Sequence, residues 1–192
     1  IHNNKRDKFG LIDKKGNWML KAEYDAILPK DSFFVVNKGG MQSVLTENLK
    51  QILPFMEADL WISGNSITAT MKDHTLRKYN LQGELIDDFL ISNVDRLLYD
   101  TDEIRYTTAK NYDDEGNLTG ETAEAEPTPY QKTANCKKYE ADIGWYGLMS
   151  PSGKVITPPR YCDITAIGYD LYLCKTDDIR GEVLNGKGVR VK

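Results

Sequence analysis

Side chains that commonly serve as catalytic bases, nucleophiles or metal ligands are scarce in this chain. It has three cysteines and two histidines in 192 residues, and no two cysteines have the CxxC spacing of a structural zinc site. His74 has no nucleophile motif of the GxSxG kind near it in the sequence, so a catalytic triad is not indicated. We therefore expect neither a bound metal nor another cofactor.

Carboxylates offer one other kind of chemistry. Asp13, Asp25 and Asp113 could hydrolyse a glycosidic bond if two of them converge to about 5 to 10 Å in one pocket. Asp13 and Asp113 also begin turn-like segments, where an Asp side chain accepts backbone hydrogen bonds, and this structural role is the stronger interpretation. A glycan-acting hydrolase with carboxylates at a ring centre is therefore the second hypothesis for function.

Aromatic residues supply the candidate binding surface. Seven of them could stack on a sugar or a peptide: Trp18, Trp61, Trp145, Tyr24, Tyr146, Tyr161 and Tyr169. Aromatics at repeated positions more often fill a core. Trp61 and Tyr169 lie nearest to turn-like segments, so these two are the candidates for an exposed ligand contact.

Composition and charge exclude two classes of protein. With 25 Lys and Arg against 29 Asp and Glu, the net charge is −4, which excludes nucleic-acid binding by bulk positive charge. No stretch approaches 18 consecutive apolar residues, so we expect a soluble globular chain without a membrane span. The chain begins at Ile1 rather than at a methionine. Two explanations are open: a signal segment has been removed, or the sequence starts at an arbitrary position. The first explanation is favoured.

A turn signature recurs along the chain and indicates a repeat. In five segments a Gly closes a four-residue window that begins with Asp, Asn or Ser, the preference of a type I turn followed by a left-handed residue. These segments are 13–16, 80–83, 113–116, 150–153 and 185–188. Their spacing requires a sixth turn near position 49, and 46–49 is there, with Leu49 in the place of Gly. Six turns at a period of about 34 residues follow.

The segments around these turns predict β-hairpins. Apolar or aromatic residues flank nearly every turn, as in a strand, a turn and a second strand. Between the hairpins lie further runs rich in β-branched and aromatic residues, which predict a third strand in most units. The runs are 33–36, 67–70, 104–107 and 171–174.

The expected fold is all-β, built from repeated β-hairpin units of about 34 residues. One unit cannot bury its own apolar face, so the units must stack. A propeller-like ring of small blades closes the sheet edges and is the first choice, whereas an open β-hairpin stack is the second. No break in composition divides the chain, so we expect one repeat domain over residues 1–192.

Both ends of the chain resemble a known bacterial repeat. Near the N-terminus, Phe9-Gly10-Leu11-Ile12-Asp13 is followed by the turn glycine Gly16 and by Tyr24-Asp25. Near the C-terminus, Tyr146-Gly147-Leu148-Met149 is followed by Gly153 and Tyr161. The interval from Gly10 to Tyr24 equals the interval from Gly147 to Tyr161. This pattern resembles the WG repeat, strongly at the two ends and only through the turns between them.

The resemblance implies a modest function. WG-repeat proteins are often secreted or belong to the bacterial cell envelope, and the repeat is associated with interaction rather than with a defined reaction. No catalytic residues are carried over. The first hypothesis is therefore a non-catalytic binding or scaffold module in one of those places, with a protein or a glycan as partner.

Two local expectations follow from the same register. A hairpin centred on Gly168 would place Cys162 opposite Cys174 on neighbouring strands, close enough for oxidation to be conceivable, although buried free thiols are favoured. Leu49, in the place of a turn glycine, is expected to adopt a positive φ.

Overall fold

The computed structural model describes residues 7–126 and 129–191. Ile1, on which the expectation of a removed signal segment rests, lies outside them. The described residues form eighteen β-strands and contain no α-helix. The all-β fold class predicted from the sequence is confirmed.

The chain divides into two compact units. Unit 1 comprises the residues up to Ser92 together with Ala141–Ile143. Unit 2 comprises Asn93–Glu140 and the residues from Gly144 onwards. No break in composition marks these positions, and one repeat domain is what the sequence predicts.

Unit 1 contains one hairpin and two four-stranded antiparallel meanders. The hairpin is formed by β1 (Phe9–Ile12) and β2 (Trp18–Tyr24). The first meander is β3 (Ala26–Lys30), β4 (Phe33–Lys38), β5 (Met41–Thr46) and β6 (Gln51–Met56). The second is β7 (Ala58–Ser63), β8 (Ser66–Met71), β9 (Leu76–Asn80) and β10 (Leu85–Leu90). In each meander the strands pair in chain order, so β3 and β7 are edge strands.

Unit 2 contains two three-stranded sheets and one hairpin. The first sheet has the order β11 (Asn93–Asp100), β14 (Gln131–Glu140) and β15 (Tyr146–Met149). Between β11 and β14 the chain forms the hairpin of β12 (Tyr106–Tyr112) and β13 (Leu118–Ala125). The last sheet is β16 (Asp163–Gly168), β17 (Leu171–Lys175) and β18 (Gly181–Asn185).

All six predicted turns are present. In the first, the Gly16 amide donates to the Asp13 carbonyl at 3.0 Å, and the Asp13 amide donates to the Asn17 carbonyl at 2.9 Å. The other five turns repeat this pair of bonds, and the closing residue has a positive φ each time, from 63° at Leu49 to 89° at Gly153. The repeat and its register are confirmed.

A seventh turn of the same kind joins β8 to β9. The His74 amide donates to the Met71 carbonyl, the Met71 amide donates to the Thr75 carbonyl, both at 2.9 Å, and His74 has a φ of 64°. The sequence does not predict this turn, because Met71 and His74 stand where most of the other turns have a small polar residue and Gly.

The expectation of about three strands per unit holds between the turns from Gly83 to Gly188, but it is one strand short in the two intervals before Gly83. Between the turn at Leu49 and the turn at Gly83 the chain forms β6, β7, β8 and β9. The missed strand, β7, alternates buried Ala58, Leu60 and Ile62 with exposed residues. It has the period of a half-buried strand and Gly64 ends it, but only Glu57 separates its start from β6, so no turn signal sets the two strands apart.

The predicted pairing of Cys162 with Cys174 is also wrong. The hairpin of β16 and β17 exists, but its turn is formed by Tyr169 and Asp170, and Cys174 pairs with Ile164. A register irregularity between Ala166 and Gly168 moves the centre of the hairpin away from Gly168. Cys136, Cys162 and Cys174 are all free thiols.

Each unit has its own apolar core. In unit 1 the largest cluster joins the two meanders and comprises Val35, Val44, Leu53, Ala58, Leu60, Ile62, Ile67 and Ala69. In unit 2 the core comprises Leu97, Ala134, Cys136, Leu148, Tyr161, Ile164, Ala166, Tyr172, Cys174 and Leu184. Three tyrosines, Tyr139, Tyr161 and Tyr172, are fully buried in unit 2. The hydroxyl of each is hydrogen bonded, as burial requires.

Candidate functional site

Trp61 borders an apolar groove between the edge strands of the two meanders. The groove has a volume of about 220 Å³ and is lined by Leu28 to Lys30 of β3, Val35 of β4 and Leu60 to Ile62 of β7. Trp61 is 68% exposed and Leu28 is 60% exposed. We call this site the Trp61 groove.

The side chain of Gln42 fixes the strand that presents Trp61. Its Oε1 accepts a hydrogen bond from the Leu60 amide at 2.8 Å, and its Nε2 donates to Oδ1 of Asp59 at 2.9 Å. Because Leu60 and Ile62 point into the core, the residue between them must point outwards. The backbone geometry of β7 therefore directs the Trp61 side chain outwards at the border of the groove.

Tyr169, the other predicted contact, lies at a different groove in unit 2. This groove has a volume of about 350 Å³ and is lined by residues 133–137 of β14 with Arg96, Pro151 and Tyr169. Tyr169 stands in the turn between β16 and β17 and is 61% exposed. Its carbonyl accepts a hydrogen bond from the Asn135 amide at 2.7 Å, which fixes the turn.

Charged residues meet in a third groove, which sequence reasoning missed. Nδ1 of His74 lies 3.3 Å from Oδ2 of Asp142. Glu57 and Asp59 line the same groove, whose volume is about 230 Å³. Nζ of Lys72 lies 2.7 Å from Oε2 of Glu57. His74 and Asp142 are distant in the sequence, and no local signal indicates that they meet.

The carboxylates considered for glycan hydrolysis all accept hydrogen bonds from other residues of unit 1 or unit 2. Oδ1 of Asp13 accepts hydrogen bonds from the Lys15 and Asn17 amides, and Asp113 does the same in its turn. Asp25 accepts from Nζ of Lys8 at 2.5 Å and from the Gly39 amide at 2.6 Å. The structure therefore gives all three a structural role.

The seven aromatics of the sequence analysis fall into three groups. Tyr24 and Tyr161 are buried, and Trp145 and Tyr146 are partly buried. Trp61 and Tyr169 are exposed, as predicted. Trp18, whose exposure was not predicted, is 62% exposed. Trp18 covers the backbone of its own hairpin, because a Cβ added to Gly10 would lie 2.7 Å from the Trp18 ring.

Close packing of an aromatic ring against a glycine also explains the glycine of the Tyr146-Gly147 pair near the C-terminus. A Cβ added to Gly147 would lie 2.5 Å from three atoms of the Tyr139 ring. In both copies an aromatic ring thus lies against the glycine, and only a residue without a side chain leaves that space. The tyrosine that follows each turn pairs with the start of its motif, as Tyr24 with Phe9 and as Tyr161 with Tyr146.

The chain contains two WG repeats. The family model described as "WG containing repeat" matches residues 9–41 and 146–178. One WG repeat thus belongs to unit 1 and the other to unit 2. The resemblance stated from the sequence is confirmed at both ends of the chain.

The solved structures that match this chain include two proteins of low similarity. The computationally designed Ika8 protein shares 16% identity and a TM-score of 0.28, over 91% of this chain and 64% of that one. AztD from Citrobacter koseri shares 11% identity and a TM-score of 0.25, over 91% of this chain and 58% of that one. The chain therefore spans less than two thirds of either protein. No curated protein matches the sequence.

None of the segments in 7–126 and 129–191 forms a helix with the length and apolarity needed to cross a bilayer. Within the same residues, no three His, Cys, Asp or Glu side chains are grouped so that they could hold a metal ion.

Proposed function

We propose that this protein is a non-catalytic binding module of the bacterial cell envelope or the extracellular space, and that its partner, a protein or a glycan, binds at the Trp61 groove. The observation that carries the proposal is the exposure of Trp61 beside Leu28 and Pro29. The location rests on the resemblance to WG-repeat proteins.

The Trp61 groove has the composition of a binding hot spot. An indole that is 68% exposed leaves apolar surface in water, and covering that surface is favourable by roughly 25 cal/mol per Å². Trp is among the residues that contribute most at interfaces, often about 2 kcal/mol or more on truncation. The hydrogen bonds of Gln42 hold the strand in place, so little ordering is needed on binding.

The lining of the groove favours a protein segment over a glycan. Six of its seven residues are apolar, and Lys30 is the remaining one. Sugar hydroxyls that lose water need hydrogen-bond partners, and an apolar lining provides few. Apolar side chains of a peptide would fill the groove without that cost. A peptide with leucine, proline or aromatic residues is therefore the expected ligand.

The test combines a peptide selection with a glycan array. Random twelve-residue peptides displayed on phage are selected on the purified protein, and the same protein is applied to a glycan array. We expect enrichment of apolar peptides whose affinity falls about 30-fold in Trp61→Ala, which corresponds to about 2 kcal/mol. Tyr169→Ala is the matched control, because Tyr169 is similarly exposed but lies at the other groove.

The result can also contradict the proposal. Selected peptides or array glycans that bind Trp61→Ala as tightly as the unmodified protein would exclude the Trp61 groove as the binding site. Binding lost in Tyr169→Ala alone would move the site to unit 2.

One observation favours the second hypothesis, a glycan-acting hydrolase. Three carboxylates, Glu57, Asp59 and Asp142, line the groove that holds His74. Such an enzyme needs two carboxylates on either side of the scissile bond. Turnover of an arrayed glycan that is lost in both Asp59→Asn and Asp142→Asn would establish this function in place of the binding module.

A further inference from the structure

The hairpin of β12 and β13 stands apart from the other sheets of unit 2. Its strands pair with each other over seven positions, from Tyr106↔Ala125 to Tyr112↔Leu118. Among the described residues no third strand joins them. No residue of either strand is buried, and only Ala109 and Gly120 are even partly covered. We call residues 104–126 the acidic arm, for the charge described below.

The base of the acidic arm contacts Tyr130, which lies next to β14. The guanidinium of Arg105 lies 3.4 Å above the centre of the Tyr130 ring, a favourable cation–π contact. The amide of Thr101 donates to the Tyr130 carbonyl at 2.9 Å, and the Glu126 amide donates to the Arg105 carbonyl at 2.8 Å. The Arg105–Tyr130 contact thus links the arm to the end of the β11–β14 pair.

Both edges of this two-stranded sheet are open. An edge strand carries unpaired N–H and C=O groups that can form a ladder with an added strand. A two-stranded hairpin with no core is marginally stable in water, and a third strand would stabilise it. Leu118, on β13, is 54% exposed, so apolar surface on that strand is available to the side chains of an added strand.

The acidic arm accounts for the net charge of the chain, because the positive and negative charges of the other residues balance. It has two basic residues, Arg105 and Lys110, against six acidic ones, and its net charge of −4 equals that of the whole chain. The acidic residues are Asp113, Asp114, Glu115, Glu121, Glu124 and Glu126. Lys110 pairs across the hairpin with Glu121. Glu124, in contrast, stands opposite Thr107, so the β13 side of the arm is the more acidic edge.

We propose that the outer edge of β13 binds an extended, basic segment of a partner protein by strand addition. Main-chain hydrogen bonds to the free edge would supply affinity, and Lys or Arg side chains of the partner would meet Glu124 and Glu126 on one face of the hairpin and Glu121 on the other. This surface is separate from the Trp61 groove and does not depend on the function proposed for it.

A second copy of the chain is a poor occupant of the same edge. Two acidic arms would bring like charges side by side, which disfavours pairing between them. Charge complementarity instead selects a basic strand.

The test uses a defined probe, a fluorescein-labelled ten-residue peptide in which Lys-Lys and Thr-Thr pairs alternate, so that Lys side chains lie on both faces of an added strand. Binding is followed by fluorescence anisotropy on the full chain at low salt and again at high salt, where the screening length falls to a few ångström. We expect saturable binding at low salt and loss at high salt. We also expect binding to weaken about tenfold in the triple variant Glu121→Gln/Glu124→Gln/Glu126→Gln, since each exposed charge pair contributes a fraction of that factor.

Two controls separate strand addition from general charge attraction. The triple variant Glu23→Gln/Glu47→Gln/Asp88→Asn removes the same charge from exposed positions of unit 1 and should bind like the unmodified protein. A probe N-methylated at every second residue keeps its charge but cannot form a full ladder, and it should bind at least about tenfold more weakly.

Three results would overturn the proposal. The first is an equal loss of probe affinity in the two triple variants. The second is equal affinity for the methylated and unmethylated probes. The third is a dimer, detected by light scattering, that dissociates in the Glu121→Gln/Glu124→Gln/Glu126→Gln variant or when the probe is added.

Discussion

The ring of Tyr139 lies directly against Gly147. A Cβ at position 147 would lie 2.5 Å from Cε1, Cζ and the hydroxyl oxygen of that ring. The Tyr139 hydroxyl donates to the Thr157 carbonyl at 2.6 Å and is fully buried, so the ring cannot move away without losing that bond. Burial also raises the pKa of Tyr139 well above its ordinary value, so the hydroxyl stays protonated and able to donate.

Gly147→Ala should therefore destabilise unit 2. Overpacking of a core by one methyl group typically costs about 1 to 3 kcal/mol, and we expect a loss in this range by urea denaturation. Gly120→Ala is the matched control, because a Cβ at Gly120 meets nothing within 4 Å and lies on a strand. It should be neutral or slightly stabilising. Equal effects of the two changes would show that the contact with Tyr139 is unimportant.

Leu49→Gly should stabilise the protein. Leu49 has a φ of 63°, a conformation that costs a non-glycine residue roughly 1 kcal/mol. Part of the gain is lost to the larger unfolded-state entropy of glycine, so we expect about 0.5 kcal/mol or slightly less. Gly153→Leu, at a φ of 89°, should destabilise by more. Urea unfolding of both variants measures the two values, and a loss of stability in Leu49→Gly would show that the apolar contacts of Leu49 outweigh its strain.

The turns show which parts of the fold a sequence can reveal. The chemistry of a type I turn with a left-handed closing residue is local: Asp13 or Asn80 accepts hydrogen bonds from amides two and four residues later, and a glycine follows. Leu49 could be placed only because the period demanded a turn there. The turn at His74 escaped because neither its first residue nor its last has the usual side chain.

The errors arose where the structure depends on distant contacts. The register of β16 and β17 depends on a bulge near Gly168 that no residue type marks, so Cys162 and Cys174 were paired wrongly. The exposure of Trp61 could be anticipated from its position near a turn. Its groove could not be anticipated, because Leu28 and Pro29 belong to a different meander and are distant in the sequence. The meeting of His74 with Asp142 is non-local in the same way.

Acid should weaken the turn at His74 through Asp73. The Thr75 hydroxyl, which donates to Oδ1 of Asp73 at 2.6 Å, is the main reason that the pKa of Asp73 lies below its ordinary value. A lowered pKa in the fold contributes stability above the unfolded pKa of about 4, and this contribution is lost as pH falls through the folded pKa. We expect Asp73→Asn to be less stable than the unmodified protein at pH 6, and we expect this difference to shrink as the pH falls through the folded pKa.

The partner of Asp73 provides the control. Thr75→Val removes the same hydrogen bond, so its effect and that of Asp73→Asn should not add in the double variant at pH 6. Additive effects, or a difference in stability that stays undiminished at the lowest pH, would contradict this account.

The three cysteines should differ sharply in reactivity. Burial raises the pKa of the Cys174 thiol to about 12 and also raises the pKa of the Cys136 thiol, so both remain protonated and shielded at pH 8. Cys162 is partly exposed. With a thiol reagent such as DTNB we expect one fast equivalent in the native protein and all three in denaturant.

Cys162→Ser should remove the fast phase and leave the other two thiols unchanged. Recovery of only one thiol from the unmodified protein in denaturant would instead reveal a disulfide and contradict the register found for β16 and β17.

The most direct test of the binding proposal follows the emission of Trp61 itself. The variant Trp18→Phe/Trp145→Phe leaves Trp61 as the only tryptophan, since the chain has three. An indole that is 68% exposed emits at long wavelength, and a ligand that covers it should shift the emission to shorter wavelength. Titration with a peptide selected on the unmodified protein should give a saturable blue shift with the same affinity as direct binding. Tight binding with unchanged Trp61 emission would contradict the proposal.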